Sequence, residues 1–528
     1  MVIYPYLHSG VIYVNADWSF HASRLEEIYD NLKSGHWFTF VASRYFAHSG
    51  VGNFLFYPSL FFYPWAGLRF LFSPISAFYI WLLAIFLVQC LIAYFCMVSF
   101  AQSHLQGFIF SLLYVFCPYN LSHGPMYFIL GEFVAASFLP LVFLGAYNLL
   151  WGNFRKSTPL IWGLVLATYA HILTVFICLE ILIGLLVFKL LVNKGITYDR
   201  FLFLIKDAMI TFLLVLPVIV NFVSDYFGHG IANANPGQSQ LETVKSLLQV
   251  LGLSLISVNY LGVVLLIFLV LGLFFTFRNR KYRGIYWAGI VMLIISTSLF
   301  PWSKFKHSFL SVIQYPDRYI IYVNLFLATV ASWLIAKKMC LWFLKAKKVG
   351  KILLWALITL LLVAYMGLIG VVQLTNNQEL RHILHPKASQ LLKSTKHHQK
   401  PFPNDIFLNN KNYAKQFTYR PRFGYKDYFP KKAASKNISR YVLSGRLLNT
   451  SKVHLQKKWP GVNQMTYRLK ANAPTEVKLP WVVYNHSQAK VNGHRVPLLN
   501  KSRGLAQVKL PPGVSQVRVF TSLVGFIK

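Results

Sequence analysis

Apolar runs long enough to cross a lipid bilayer recur along this chain from Pro74 to Gln373. A transmembrane helix needs roughly 20 apolar residues at about 1.5 Å per residue. The chain of 528 residues is 56% hydrophobic and 17% aromatic, and only 13% of its residues are charged, whereas soluble domains carry about 25%. These features predict a polytopic α-helical membrane protein.

The apolar runs indicate about ten spans. The second span is short, and the stretch from Pro159 to Val192 is too long for one helix, so we predict a break near "YAHILT". The predicted spans are 74–100, 104–118, 126–150, 158–170, 172–192, 202–222, 257–277, 284–300, 317–336 and 350–373.

Positive charge is distributed unevenly between the loops. The loops "WGNFRK", "NKGITYDR", "RNRKYR" and "KKMCLWFLKAKKVGK" are rich in Lys and Arg, whereas "NLSHGP" and "PWSKFKHSFLSVIQYP" are poor in them. Basic loops stay in the cytoplasm. The pattern therefore predicts that residues 1–73 and all residues after Gln373 lie outside. Because an external N-terminus normally needs a signal or a preceding helix, we expect an initial helix to be missing from this chain; the alternative is direct translocation of residues 1–73.

The formal net charge of +37 does not indicate nucleic-acid binding, because the basic residues are split between short loops and a C-terminal tail. Membrane topology accounts for the loops, and an anionic partner could account for the tail. The five cysteines lie within apolar runs or at their ends, and no C-x-x-C occurs. We expect buried thiols rather than disulfides or a zinc site.

The stretch "NADWSFHASRLEEIYDNLKSG" holds four of the 15 Asp and Glu residues. Its apolar residues recur at helical spacing, which predicts an amphipathic helix over Asp17–Lys33 lying along the outer membrane surface. Asn15 or Asp17 can cap the start of this helix. Its later acids, Glu26, Glu27 and Asp30, are interpreted as a solvated face.

Asp17, His21 and Arg24 would share one face of that helix, which makes them candidate site residues. The alternative for Asp17 is a plain helix cap. Further ionisable residues fall at the outer ends of the predicted spans, where such groups are costly and usually face a cavity. Each is weak evidence alone, since a lone His is more often a core residue, but together they favour one polar site at the outer rim. These residues are His123, Glu132, His171, Asp317 and Arg318. Glu180 lies deeper and is interpreted as a packing or hydrogen-bonded group.

Five motifs in a fixed order carry a resemblance to a known family. They are "DWSFHASRLEEIYDNLKSGHW", "GVGNFLFYPSLFFYPWAGL", "GEFVAASFLPLVFLG", "YAHIL" and "IQYPDRYI". With them, the chain resembles the bacterial YfhO-like membrane proteins, a subset of which is labelled 6-pyruvoyl-tetrahydropterin synthase-related. That label implies no activity here, because the zinc-binding His cluster of the soluble enzyme is not visible as a motif.

The resemblance implies a layout similar to that of GT-C glycosyltransferases, which are polytopic enzymes that use polyprenyl-phosphate-linked sugars. It implies that Asp17 is the acidic residue of the first outer loop, acting as the catalytic base or binding a metal. No DxD stands in that loop, so participation of a divalent metal is left open. The implied substrate-binding positions are His21, Arg24, Glu132, His171, Asp317 and Arg318, to which we add His123 from its place at the rim.

The chain changes composition after Gln373, with 28 Lys and Arg against four Asp and Glu from Thr375 to Lys528. From Thr466 onward, segments of period 2 such as "TYRLKA" and "SQVRVFTSL" alternate with turns such as "VNGH" and "PPG". This pattern predicts a C-terminal extracytoplasmic β-sandwich. It could be a lid over the membrane site, or its basic surface could hold an anionic envelope polymer or lipid headgroups.

These observations predict three segments of a plasma-membrane protein: an external loop with the amphipathic helix (1–73), a transmembrane domain (74–373) and the basic β-rich domain (374–528). The favoured function is transfer of a sugar from a polyprenyl-phosphate donor to an envelope acceptor. The alternatives are a transporter or flippase of lipid-linked precursors and a non-catalytic envelope accessory protein. A transporter should carry its polar groups near mid-membrane, whereas here they favour the outer rim.

Overall fold

The structure is a computed structural model. It describes residues 10–192, 195–229, 231, 241–257, 260–277, 279–345, 402–403, 406–421, 424, 426–445, 447, 452–499 and 504–522. The chain divides into two compact units. The helical unit takes in Tyr79–Val215 and the described part of Gln238–Pro386. The mixed unit combines the described parts of Gly10–Phe78, Leu216–Gly237 and Lys387–Lys528, so an N-terminal and a C-terminal segment fold together.

Apolar helices make up the chain between Pro74 and Lys345. Short helical turns connect several of them, including a π-helical turn at Ser122–Met126 and a 3-10 turn at Pro316–Tyr319. The helices are Pro74–Ala101, His104–Val115, Pro118–Leu121, Leu130–Ala136, Leu139–Leu150, Thr158–Ala170, Ile172–Val192, Tyr198–His229, Leu247–Ile256, Gly262–Phe275, Arg280–Ile295 and Ile320–Lys345.

Four stretches of helix in the described residues are long and apolar enough to cross a membrane, and two bent helix pairs raise the number to six if each pair is one span. The four are Pro74–Ala101, Ile172–Val192, Tyr198–Val220 and Pro316–Lys337. The prediction of several helices long and apolar enough to cross a membrane is confirmed, while the number ten, the membrane placement and the orientation stay predictions. The predicted span 350–373 lies outside the described residues.

Breaks in the helices have local causes. Cys117 is extended because it precedes Pro118, and the two helices on either side are bent by 51°. Leu130–Ala136 and Leu139–Leu150 are bent by 41°. The predicted break in "YAHILT" is confirmed, since His171 is extended (φ −158°, ψ 109°) between two helices.

The mixed unit contains two β-sheets and a small strand pair. Strand β1 (Val11–Val14) pairs antiparallel with β2 (Ile406–Asn409), so an N-terminal strand lies beside a strand from the region that follows the apolar helices. The remaining strands are β3 (Val453–Gly461), β4 (Gln464–Ala471), β5 (Thr475–Val482), β6 (Ser487–Val491), β7 (His494–Val496), β8 (Leu505–Leu510) and β9 (Gly513–Thr521). They form a five-stranded sheet in the order β3-β4-β9-β6-β7 and a pair β5-β8, which confirms the predicted C-terminal β-sheets.

One hydrophobic core serves both sheets of the mixed unit. Buried residues such as Tyr467 and Val517 from the larger sheet belong to the same cluster as Leu479 and Val508 from the smaller one. The loop after the first helix also packs there, because Val482 donates its N–H to Ser49 O at 2.8 Å. The mixed unit also holds the helices Trp18–Lys33, Asn53–Phe56, Phe62–Leu68 and Lys436–Ser444.

The predicted helix in the opening stretch is confirmed at Trp18–Lys33, but its predicted solvated face is wrong. Glu26 is 5% exposed and Glu27 is fully buried. Arg69 Nε donates to Glu26 at 2.8 Å, and backbone N–H groups of residues 43–45 donate to Glu27. These non-local partners satisfy the carboxylates, so the acids stabilise the fold instead of facing solvent.

Gly50 allows the loop to approach the β-sheet closely. Its φ is +69°, and a Cβ at this position would overlap the indole of the fully buried Trp481. We expect Gly50→Ala to lose about 1 kcal/mol from the left-handed backbone and roughly 1–3 kcal/mol more from overpacking. Thermal unfolding of the purified protein measures the loss.

Gly10→Ala is the matched control for that substitution. Gly10 also has a positive φ, +61°, but a Cβ there meets no atom of the described residues within 4 Å. It therefore carries the backbone strain without the overlap. Equal melting temperatures for the two variants would show that Trp481 does not require the glycine.

Candidate functional site

The predicted site residues are divided between the two units. Asp17, His21 and Arg24 belong to the mixed unit. The helical unit holds His123, Glu132, His171, Asp317 and Arg318.

Glu132 and Arg318 form a buried ion pair in the helical unit. Glu132 lies in the first turn of Leu130–Ala136, and Arg318 in the 3-10 turn that precedes the helix Ile320–Lys345. Arg318 Nε lies 2.6 Å from Glu132 Oε1, and its side chain is 17% exposed. Arg318 also donates to Ile313 O at 2.7 Å and lies over the ring of Tyr315. A guanidinium oriented in this way can bind a carboxylate or a phosphate with well-defined geometry.

His123 contacts the second oxygen of the same carboxylate. It lies in the π-helical turn, and its Nε2 is 3.5 Å from Glu132 Oε2. Its ring stacks on Tyr119 with a centroid distance of 4.0 Å, and Nδ1 lies 2.9 Å from Tyr119 O. Only an N–H can donate to a carbonyl, so Nδ1 carries a proton. A second proton, on Nε2, would be shared with Glu132, which makes this pair able to exchange a proton with a ligand.

His171 lies at the break between two helices. The N–H of Thr174 donates to His171 Nδ1 at 3.3 Å, which places the imidazole proton on Nε2. The ring is close enough to Glu132 to interact electrostatically with it. The Glu132 carboxylate therefore contacts Arg318 and His123 and interacts electrostatically with His171.

A small cavity adjoins this cluster. Its polar lining includes Asn120, His123, Glu132, Thr174 and Arg318. Asn120 Nδ2 donates to Gln89 Oε1 and to Val115 O, both at 2.8 Å, which fixes the amide. Asn120 Oδ1 is buried and has no hydrogen-bond donor among the described residues. Leaving such an acceptor without a donor costs about 1–3 kcal/mol, so it is suited to a hydroxyl of a ligand.

Sequence reasoning missed Asn120 and Gln89. Asn120 stands three residues before His123, in the same predicted outer loop, and that proximity was the available signal. Gln89 lies within the apolar helix Pro74–Ala101, where a polar residue is uncommon. Its Nε2 donates to Phe133 O at 2.7 Å, so it joins Asn120 to the helix that carries Glu132.

Asp317 lies beside a second small cavity. Lys245, Tyr260 and Ser296 line that cavity with it. Asp317 and Arg318 are adjacent in one 3-10 turn, yet Asp317 lines this second cavity and Arg318 lines the first. Glu180 is outside both: it accepts a hydrogen bond from Tyr319 Oη at 2.5 Å, which confirms its interpretation as a hydrogen-bonded group.

Asp17 precedes the helix Trp18–Lys33 in the mixed unit. Its carbonyl oxygen accepts the N–H of Phe20 and of His21, both at 3.1 Å. Asp17 occupies the N-cap position, as the cap interpretation predicted, but its carboxylate makes no cap hydrogen bond. Asp17 is half-buried, and its role as a catalytic base stays a prediction.

Arg24 is fully buried in a cage of aromatic rings. Its guanidinium lies 4.4 Å from the ring centroid of Tyr57 and 5.0 Å from that of Phe62. Nη2 donates to Tyr57 O and Pro58 O, whereas Nε and Nη1 have no hydrogen-bond acceptor among the described residues. Burial lowers the pKa of Arg24 to about 10. The nearby Tyr57 and Tyr428 act in the opposite direction and limit this lowering. His21 packs against the rings of Tyr57 and Phe62.

The sequence left open whether a divalent metal takes part in the reaction. Among the described residues, no group of three or more His, Cys, Asp or Glu side chains is arranged to hold an ion. The two carboxylate oxygens of Glu132 already contact Arg318 and His123.

Comparison with known proteins gives one structural neighbour. No family model matches the chain, and no curated protein matches it. The chain is similar to the crystal structure of ArnT from Cupriavidus metallidurans bound to undecaprenyl phosphate, with 13% identity and a TM-score of 0.43. The match covers 63% of this chain and 58% of that one, less than two thirds of its length. A likeness at this level assigns no function, and the resemblance to YfhO-like proteins stays a prediction.

Proposed function

We propose that this chain is a membrane glycosyltransferase that moves a sugar from a polyprenyl-phosphate donor to an acceptor in the cell envelope. The observation that carries the proposal is the cavity of the helical unit. There, Arg318 can bind phosphate oxygens, and the buried Oδ1 of Asn120 is suited to a sugar hydroxyl. Apolar side chains such as Leu139 and Ile177 also line the cavity, which suits a ligand with a lipid chain.

The proposed reaction forms a bond between the acceptor oxygen and the anomeric carbon of the sugar. The bond from that carbon to the phosphate oxygen breaks, and the lipid phosphate leaves with the negative charge. Cationic donors stabilise that charge, a role we give to Arg318. The hydroxyl proton goes to a carboxylate. Asp17 is our candidate, because the resemblance to YfhO-like proteins implies an acidic residue at this place in the first outer loop.

Binding of the lipid phosphate tests the first part of the proposal. Purified protein with Arg318→Gln is expected to bind polyprenyl phosphate roughly tenfold to a hundredfold less tightly, because a charge-assisted hydrogen bond contributes about 1.5–3 kcal/mol. Lys306→Gln is the control: it removes a cation of the same unit that is exposed and pairs with Glu242. If both variants bind polyprenyl phosphate with equal affinity, Arg318 does not contact the lipid phosphate.

Asp17→Asn tests the catalytic base. In a deletion strain, wild type should restore an envelope glycan, and Asp17→Asn should lower the rate of sugar transfer by about 10²–10⁴-fold. The matched control is Asp30→Asn in the same helix, whose side chain accepts a hydrogen bond from Tyr45 Oη. Full rescue by Asp17→Asn would contradict the assignment.

A flippase is the second candidate, and the broken helices favour it. Half-helices commonly form the substrate sites of transporters, and here His123 and Glu132 lie in or beside the two bent pairs. If purified protein moves the lipid-linked sugar across vesicles but transfers no sugar to any acceptor, this second function replaces the first.

A further inference from the structure

The five-stranded sheet of the mixed unit has one face on which every charged residue is positive. Burial alternates along β4, where Tyr467 and Leu469 are buried while Arg468 and Lys470 are exposed. In β9, Val517 and Val519 are likewise buried and Arg518 is exposed. Residues paired across antiparallel strands share a face, so the strand register extends this surface to β3, β6 and β7. We call it the cationic face; its basic residues are Lys457, Arg468, Lys470, Lys490, Arg495 and Arg518.

Like charges lie directly opposite one another on the cationic face. Lys457 pairs in register with Arg468, and Lys490 pairs with Arg518 on one side and with Arg495 on the other. Like charges in such positions destabilise a sheet. The folded unit therefore holds electrostatic repulsion that an anionic partner would relieve.

Nothing in the described structure neutralises these charges. The five strands contain no Asp or Glu, and none of the six basic residues makes an ion pair with a described residue. In the smaller sheet, the carboxylate of Glu476 accepts a hydrogen bond from Gln507 Nε2. All six side chains are exposed except Lys490, which is half-buried.

We propose that the cationic face binds a linear polyanion that carries phosphate groups along its length. Strands lie about 4.8 Å apart, and residues i and i+2 on one strand lie roughly 6.8 Å apart, so the face presents a ladder of cations to successive charges of an extended polymer. Arg468, Arg495 and Arg518 add bidentate hydrogen bonding, which suits phosphate.

The chemistry of the face favours a polymer over a bilayer surface. Membrane-binding surfaces combine basic residues with apolar side chains that enter the lipid. Of the described residues of this sheet, Val514 is the one large hydrophobic residue that is exposed, and Trp459 and Phe520 are half-buried. A surface with many cations and so little apolar area binds through charge.

The test uses full-length protein in detergent micelles and long-chain inorganic polyphosphate as the probe. The triple variant Arg468→Gln, Lys470→Gln, Arg518→Gln is expected to bind polyphosphate roughly tenfold to a hundredfold less tightly than wild type, with a weaker dependence on salt. The matched control removes three exposed charges elsewhere in the mixed unit: Lys415→Gln, Lys431→Gln, Lys432→Gln. It should bind within about twofold of wild type.

Two further measurements make the outcome decisive. Without ligand, the triple variant should melt at or above the wild-type temperature, because it relieves repulsion, and this excludes unfolding as the cause of lost binding. It should also keep its affinity for polyprenyl phosphate, so failure here is separate from failure of the proposed function. Equal polyphosphate binding by all three proteins would overturn the proposal. So would binding to phosphatidylglycerol vesicles but not to polyphosphate, which would assign the face to a membrane.

Discussion

Replacing Glu27 with Ala is expected to destabilise the mixed unit by roughly 3–5 kcal/mol. The carboxylate of Glu27 is fully buried and holds a turn of the following loop. Its Oε1 accepts from Ser43 Oγ at 2.9 Å and Ser43 N at 3.1 Å, and its Oε2 accepts from the N–H groups of Arg44 and Tyr45, both at 3.0 Å. Alanine would leave three backbone N–H groups buried without an acceptor.

Trypsin gives a direct measure of this effect. The side chain of Arg44 is 21% exposed and lies 3.7 Å from Glu27, so cleavage after Arg44 requires the turn to open. We expect cleavage at this site to accelerate roughly in proportion to the lost stability. Glu27→Gln keeps one acceptor oxygen and should lie between wild type and Glu27→Ala.

Glu476→Ala is the matched control in the same unit. Glu476 is exposed, and its loss should change the free energy of unfolding by no more than about 1 kcal/mol. If Glu27→Ala is as resistant to trypsin as Glu476→Ala, the buried carboxylate does not hold the loop.

The opening stretch shows what sequence patterns can and cannot predict. Helical spacing of Leu25, Ile28 and Leu32 correctly predicted a helix at Trp18–Lys33, because periodicity is a local property. The same pattern could not show that Glu26 and Glu27 are buried. Their partners come from the following loop and from Arg69, and burial raises the pKa of both carboxyls while these hydrogen bonds counteract part of the rise.

The β-sheets illustrate the same limit. Alternation in "TYRLKA" and "SQVRVFTSL" correctly placed β4 and β9, since period 2 is read within each strand. The neighbour relations in the larger sheet, in which β9 lies between β4 and β6, depend on contacts distant in sequence. The cationic face depends on that strand order, so the sequence alone could not show that its six basic residues form one patch.

The helical cluster was predicted as a group of residues but not as a geometry. Glu132, Arg318 and His123 were each noticed because an ionisable group at the end of an apolar span is unusual. Their pairing could not be predicted, because Glu132 and Arg318 are distant in sequence. The structure pairs Arg318 with Glu132, while Asp317 adjoins a second cavity.

A double-mutant cycle on Glu132 and Arg318 should separate stability from function. Either Glu132→Gln or Arg318→Gln alone leaves one buried charge without its partner, which we expect to lower the free energy of unfolding by roughly 3–5 kcal/mol. Glu180→Gln makes the same substitution outside the cluster, and its smaller loss calibrates the effect of a hydrogen-bonded carboxyl in the helical unit.

The variant Glu132→Gln, Arg318→Gln removes both charges at once. Stability should largely recover, because replacing a buried ion pair with neutral groups is often close to neutral. Sugar transfer and polyprenyl-phosphate binding should not recover, since the cation that contacts the phosphate is still absent. Function that returned together with stability would show that the pair only maintains the fold, and the ligand site would then have to be sought elsewhere in the chain.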